Sequence, residues 1–224
     1  MCRCSARYIF NLFVDLALCA YMIEFIAFLV EGPGMKDIII IGDPNGAGKT
    51  TAARRLVPRG LNIREFVNAD EIARGLSPYN AEHAAVAAGR LMIERMKALI
   101  SSGESFAFET TCAGRAYVPW LRDCKAGGWR VLLLFLWLPT PEASLERVAR
   151  RVRAGGHAIP KDVVVRRWKA GLANMRRLYL PLSDGAQIHD NSDGTRILIA
   201  ERSPEVPLMV HDAARWAMIE KALQ

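Results

Sequence analysis

Four consecutive isoleucines, Ile38 to Ile41, run without a break into Gly42-Asp43-Pro44-Asn45-Gly46-Ala47-Gly48, and Lys49-Thr50-Thr51 comes next. An unbroken apolar run of this kind reads as a strand buried on both faces, as inside a parallel sheet. A glycine-rich turn that opens a helix with Lys-Thr-Thr is the build of a phosphate-binding loop. Main-chain N–H groups of such a turn, and the positive end of the helix, cradle phosphate oxygens. The lysine neutralises the outer phosphates and the first hydroxyl holds magnesium. Asn45, Gly46, Ala47, Gly48, Lys49, Thr50 and Thr51 are therefore the candidate ligands of a nucleoside triphosphate, with Thr50 the candidate for Mg2+.

One position departs from the loop pattern. Counted back from Lys49, the spacing puts the first glycine at position 43, where Asp43 stands, and Gly42 comes one residue early. Glycine there lets the chain turn sharply as strand becomes loop. Aspartate tolerates unusual backbone angles better than most residues, but its charge is expected near phosphate. A working loop and a damaged or chance loop are both readings of this position, and a relative that binds ATP without turnover is a further one.

The net charge of +7 is unevenly placed. From Arg147 to Arg177 ten Arg or Lys residues stand against the single acid Asp162, so that segment is +9 and the rest of the chain −2. A basic cluster of this density favours phosphate-rich ligands. Its arginine dominance suits bidentate phosphate clamping. Nucleic acid is the rival ligand, and a solvated helix face the plain alternative. The five cysteines, Cys2, Cys4, Cys19, Cys112 and Cys124, show no paired spacing, which argues against a disulfide framework or a zinc site and fits the cytoplasm.

Residues 1–34 look foreign to the rest of the chain. Tyr8 to Val30 is apolar and long enough to cross a bilayer, yet it contains Asn11, Asp15 and Glu24, each expensive in lipid. Small residues of a cleavage site are lacking. Arg3 and Arg7 ahead of it would send the domain beyond it away from the cytoplasm. The expectation is that Met35 is the natural start, that 1–34 is an upstream extension and not an anchor, and that 35–224 is one domain with a lid at about 141–179.

Beyond the loop the chain alternates strand and helix patterns. Strands are expected at 64–68, 105–109, 131–138, 187–190 and 195–200. Helices are expected at 50–56, from Glu71, and at 82–100, 115–126, 140–153, 160–178 and 207–223. The fold class is α/β, of the P-loop NTPase type: a mostly parallel sheet with helices on both faces and an Arg-rich helical lid.

Ligands bind such sheets at the carboxyl ends of strands. Three acids are expected there: Asp70, Glu109 and Asp190. Phosphoryl transfer to a hydroxyl wants a carboxylate to orient and deprotonate the acceptor, and cations on the phosphates. Asp70 is the candidate base, with helix N-cap as its alternative. Glu109 with Thr110, Thr111 and Arg115 forms a polar cluster for the acceptor or the magnesium shell, with a helix cap again the alternative. Arg151, Arg153, Arg166 and Arg167 flank Gly155-Gly156 and are the candidates to close over phosphate. His157 reads as a turn residue.

Taken together, Pro44 to Thr51, Asn68-Ala69-Asp70-Glu71-Ile72-Ala73, Gly75-Leu76-Ser77-Pro78, Phe108-Glu109-Thr110-Thr111, Arg151 to Pro160, Arg166-Arg167-Trp168, Leu178-Tyr179 and Asp190-Asn191-Ser192 resemble the zeta toxin family of P-loop kinases, in its branch of small bacterial stand-alone members. The resemblance spans about residues 35–201. It implies a Mg-dependent phosphotransferase that moves the γ-phosphate of ATP or GTP to a hydroxyl of a nucleotide sugar such as UDP-N-acetylglucosamine. It implies Lys49 and Thr50 at the triphosphate and metal, and Asp70 as base. Glu109, Thr110 and Arg115 fall near the acceptor with Arg153 and Arg166, and Arg151 and Arg167 meet the transferring phosphate with Lys49. An antitoxin partner belongs to the same implication, though no antitoxin-like helical region is visible in the chain. The alternatives are a nucleotide-dependent ATPase that binds RNA or DNA, for which Trp168 and Tyr179 are the only aromatics in the basic stretch, and an inactive ATP-binding relative.

Overall fold

The computed structural model describes residues 35–48, 63–156, 158–193, 196–204 and 206–224. The N-terminal segment 1–34, the helix expected at 50–56, and Lys49, Thr50, Thr51 and His157 lie outside the described residues.

Strand β1 (Lys36–Gly42) is the isoleucine run. After it come β2 (Glu65–Val67), helix α1 (Ala69–Leu76), α2 (Ala85–Ser102), β3 (Phe106–Thr110), α3 (Tyr117–Ala126) and β4 (Trp129–Trp137). The chain continues through α4 (Pro141–Arg153) and α5 (Lys161–Asn174), which runs on through a wide π-helical stretch, Met175–Tyr179, and a last turn, Leu180–Leu182. Strands β5 (Gly185–Asp190), β6 (Ile197–Arg202) and β7 (Met209–Val210) and helix α6 (Ala213–Lys221) complete it.

The seven strands form one sheet in the order β2-β3-β1-β4-β5-β6-β7. All pairs from β2 to β5 are parallel, and β6 and β7 add on antiparallel. The sheet is thus mixed and mostly parallel, with helices packed against it. β1 lies between β3 and β4, with Ile41 beside Glu109 and Leu134 and Gly42 beside Thr110 and Phe135. Side-chain alternation splits the sheet into two faces. Ile38, Ile40, Phe106, Phe108, Val131, Leu133 and Phe135 share one core with Met92, Met96 and Leu99 of α2, Leu121 of α3 and Trp168 and Leu172 of α5. Leu134, Leu136 and Leu138 pack instead with Ala47 and Ala143. Both methionines of α2 are core filler, as their spacing predicts.

Local signals set the ends. Gly103 closes α2 at φ +71°, and Thr140 caps α4 through its Oγ1, which accepts from Ala143 N at 3.2 Å. The C-terminal expectation is corrected. Residues 207–223 are not one helix: Met209 and Val210 pair with Glu201 and Ala200 as an edge strand, and α6 starts later, capped by Asp212. Asp37 at the start of β1 is buried and held by Arg130 of β4 through two bonds of 2.7 and 3.1 Å. No helix among the described residues is long and apolar enough to cross a membrane.

Candidate active site

The loop after β1 is fixed by close packing. A Cβ on Gly42 would lie 2.7 Å from Cys112 Sγ and 2.9 Å from Phe135, so only glycine fits where the strand ends. Asp43 N–H donates to the Thr110 carbonyl at 3.2 Å, and Ala47 N–H to the Pro44 carbonyl at 3.2 Å. The positive-φ positions are Gly46 at +91° and Gly48 at +95°. Among the described non-glycine residues only Cys112 has positive φ, so Asp43 keeps an ordinary backbone. The sharp turn therefore needs no glycine at 43. Alternation of positive and negative φ turns successive N–H groups toward one concavity, an anion-binding shape. Asn45 Oδ1 is buried with no hydrogen-bond partner among the described residues. The described part of the loop fits a polyphosphate on these grounds.

A second turn braces the loop. Asn191, just beyond β5, donates from its backbone N to the Trp137 carbonyl at 3.1 Å and from Nδ2 to the Ala47 carbonyl at 2.5 Å. Arg147 of α4 donates from Nη2 to the carbonyls of Asn191 and Ser192 at 2.5 and 2.6 Å. Burial and the neighbouring Arg150 push the Arg147 guanidinium below its usual range, while Asp190, Asp193 and Asp43 pull it back up. Asp43 is therefore one of three carboxylates whose charge acts on the Arg147 guanidinium. Asp190 accepts from Ser192 N at 2.8 Å and from Arg215 Nε of α6 at 2.7 Å. Of the three acids read from the sequence, this one is held in a structural brace. Asn191 and Arg147 had no separate role in the sequence reading; the signal was present only as an Asp-Asn-Ser run at a strand end.

Asp70 opens a different space. The cap of α1 is Asn68, whose Oδ1 accepts from Asp70 N at 2.7 Å and Glu71 N at 3.3 Å. This corrects the alternative reading of Asp70 as cap. Asp70 sits in the first turn with an exposed side chain. It lines a cleft of about 670 Å³ together with Arg74, Tyr79, Glu82, Arg151 and Arg167, and with Gly155 and Gly156. Arg151 comes from the end of α4 and Arg167 from α5. Two helices thus meet Asp70 across one opening, with Gly155 at φ +83° between them.

The other candidates are distributed around it. Glu109 is buried in β3 beside Ile41, and Thr110 pairs with Gly42 and accepts from Cys112 N at 3.1 Å through Oγ1. Neither caps a helix: α3 begins after Ala116, which makes no side-chain cap bond. Arg115 donates to Asn174 Oδ1 at 3.3 Å, on the α5 side. Arg153 and Arg166 are not among the residues that line the cleft.

The comparisons bear on the family and the fold. An uncharacterized protein of Haemophilus influenzae is 30% identical over 127 residues, 55% of this chain and 86% of that protein. The solved AvrRxo1-ORF1:AvrRxo1-ORF2 structure with sulphate ions superposes with a TM-score of 0.66 at 15% identity, over 94% of this chain and 72% of that one. The same pair solved with ATP gives 0.64 at 17%, over 94% and 71%. The PezAT chromosomal toxin-antitoxin system of Streptococcus pneumoniae gives 0.58 at 16%, over 93% of both chains. At these identities the structural likeness is one of fold. A family model described as an AAA domain matches residues 38–178, more than half of the sequence and both the loop and the arginine-bearing helices: this chain belongs to that AAA domain family.

Proposed function

We propose that the protein is a Mg-dependent phosphotransferase, moving the γ-phosphate of ATP or GTP to a hydroxyl of a small nucleotide-sugar-like acceptor such as UDP-N-acetylglucosamine. The observation that carries this reading is the meeting of Asp70, Arg151 and Arg167 in one cleft. Support for a nucleotide comes from the loop geometry and from the fold neighbour solved with ATP. When bound, the magnesium triphosphate supplies an electrophilic terminal phosphorus and a cation on its oxygens.

This chain's residues do the rest. Lys49 and Thr50, with the N–H groups from Asn45 to Thr51, hold the triphosphate and metal. Glu109 and Thr110 stand at the floor beside the loop. Asp70 accepts the hydroxyl proton as the oxygen forms its bond to phosphorus and the bond to the leaving nucleoside diphosphate breaks. Arg151 and Arg167 face the charge on the transferring group, and closure about Gly155 excludes water. Arg115, Arg153 and Arg166 act at most from the rim. An acceptor of this kind belongs to the cytoplasm, and so in this proposal does the protein. An antitoxin-like partner is part of the proposal because PezAT is a two-component system.

The nucleic-acid reading loses its stacking residues. Trp168 is buried and donates from Nε1 to the Leu138 carbonyl at 3.0 Å, and Tyr179 is buried with its hydroxyl donating to the Gly114 carbonyl at 2.8 Å. The test is incubation of the full chain with labelled ATP, Mg2+ and either nucleotide sugars or RNA and DNA. Label on a sugar is the expected result. Hydrolysis stimulated only by nucleic acid, or ATP binding without any product, would overturn the proposal.

A further inference from the structure

Of the groups in the cleft beside Asp70 that phosphoryl transfer as proposed does not use, one is aromatic. Tyr79 lines it with a side chain as exposed as in an open chain, at 103%. Every other aromatic side chain among the described residues is at least partly covered. The backbone that carries Tyr79 is shaped by turns: Asn80 N–H donates to the Ser77 carbonyl at 3.2 Å and His83 N–H to the Asn80 carbonyl at 3.2 Å. Pro78 immediately before it has its own φ locked by the ring. The same cleft carries the guanidinium groups of Arg74, Arg151 and Arg167. Its volume of about 670 Å³ lies in the range of sites that enclose a drug-sized ligand and exceeds what one sugar ring fills.

We propose that Tyr79 is a specificity-determining residue that stacks on the nucleobase of the nucleotide-linked acceptor. The inference rests on the reading of this cleft as the acceptor site. A ring face open to solvent offers a platform to any flat heterocycle, because every base has a π-face. Arg151 and Arg167 face the transferring group, and Arg74 in the same cleft supplies positive charge for a diphosphate linker. Asp70 then meets a hydroxyl at the far end of the same molecule. Recognition by stacking is tolerant of base identity, so uridine- and adenosine-linked sugars are both bound.

The test uses the full chain and two pairs of probes: UDP-N-acetylglucosamine against N-acetylglucosamine 1-phosphate, and ADP-glucose against glucose 1-phosphate. Binding is read without ATP by the change in fluorescence of Tyr79→Trp over the unsubstituted protein, and by calorimetry for wild type, Tyr79→Ala and Tyr79→Phe. Transfer is read as KM and kcat. Stacking is worth roughly ten-fold to a hundred-fold in affinity. Tyr79→Ala should weaken binding of the base-bearing probes by that factor, act on KM and not kcat, and leave the base-free probes unchanged. Tyr79→Phe should restore wild-type binding. Equal effects on both members of each pair, or no binding of any probe at millimolar concentration, would overturn the inference. Base-dependent binding without transfer would keep it and remove the phosphotransferase reading; transfer that ignores Tyr79→Ala would do the reverse.

Discussion

Gly46 and Gly48 sit at φ +91° and +95°, and a Cβ on Gly46 would meet Arg147 Cβ at 2.9 Å. The loop's shape therefore depends on its glycines and on what touches them, chiefly Asn191. Its amide holds the Ala47 carbonyl, and its own carbonyl is held by Arg147. Asn191→Ala leaves the Ala47 carbonyl without that donor, at about 1–3 kcal/mol. We expect weaker ATP binding, by roughly five- to a hundred-fold if the loss falls on the loop, with thermal unfolding changed less; calorimetry with Mg-ATP checks it. His189 gives a second prediction. Burial, with the nearby Arg196 charge, lowers its imidazole pKa to about 3. The folded protein keeps it neutral where the unfolded chain protonates it, at about 6.5. Stability present above pH 6.5 is lost as pH falls from there toward 3, by about 1.4 kcal/mol between pH 7.5 and 5.5. Denaturant unfolding at those two pH values should show that difference for wild type over His189→Gln; identical pH dependence would contradict it. Gly46 and Gly48 were legible in the sequence because a phosphate cradle needs glycine at fixed spacings. The sequence could not show that Asp43 keeps an ordinary backbone, because a motif assigns glycine to a position without knowing its φ.

In the proposed reaction, turnover depends on the pair α4 and α5 with the glycines between them. A Cβ on Gly156 would lie 2.6 Å from Arg151 Cγ and 2.9 Å from the Arg151 carbonyl. Gly156→Ala must therefore displace Arg151 or the backbone beneath it. We expect kcat to fall about ten-fold or more, as for a misplaced transition-state contact, while ATP affinity stays within about two-fold. Steady-state kinetics and equilibrium binding on the same variant separate the two. Unchanged kcat would mean that Arg151 does not act from its present position. Helices α4 and α5 were legible because Thr140-Pro141 starts one and Gly155-Gly156 separates it from the next. The ends of other elements were less so. Asn68 and Asp70 can both cap a helix, and only the end of β2 at Val67 selects Asn68. Met209 and Val210 satisfy a helical pattern locally; pairing with β6 makes them a strand.

At the scale of the whole molecule, the alternation of strands and helices was enough to imply a parallel sheet, since each buried run is bounded by its own turn signals. Strand order was not, because nothing in a strand's residues names its neighbours: β1 lies between β3 and β4 through packing on both faces. That arrangement brings the end of β1 beside Thr110, and the same sheet carries β2 into α1 and Asp70. The basic stretch was legible as charge, but its division was not. Arg151 and Arg167 enter the cleft and Arg147 turns to the loop, while Trp168 and Tyr179 turn into the core. The account as a whole depends on Asp70 acting on an acceptor hydroxyl while the loop binds nucleotide independently. Its side chain is exposed in the first turn of α1, so Asp70→Asn forfeits only a favourable charge at a helix start, about 0.3–1 kcal/mol. The most direct measurement is transfer of the labelled γ-phosphate to UDP-N-acetylglucosamine by wild type and Asp70→Asn, with Mg-ATP affinity measured on both. The account predicts labelled sugar from the wild type, a fall of about a hundred-fold or more in the variant, and equal affinity for ATP. Transfer by Asp70→Asn at the wild-type rate, or label released only as inorganic phosphate by both proteins, would contradict it.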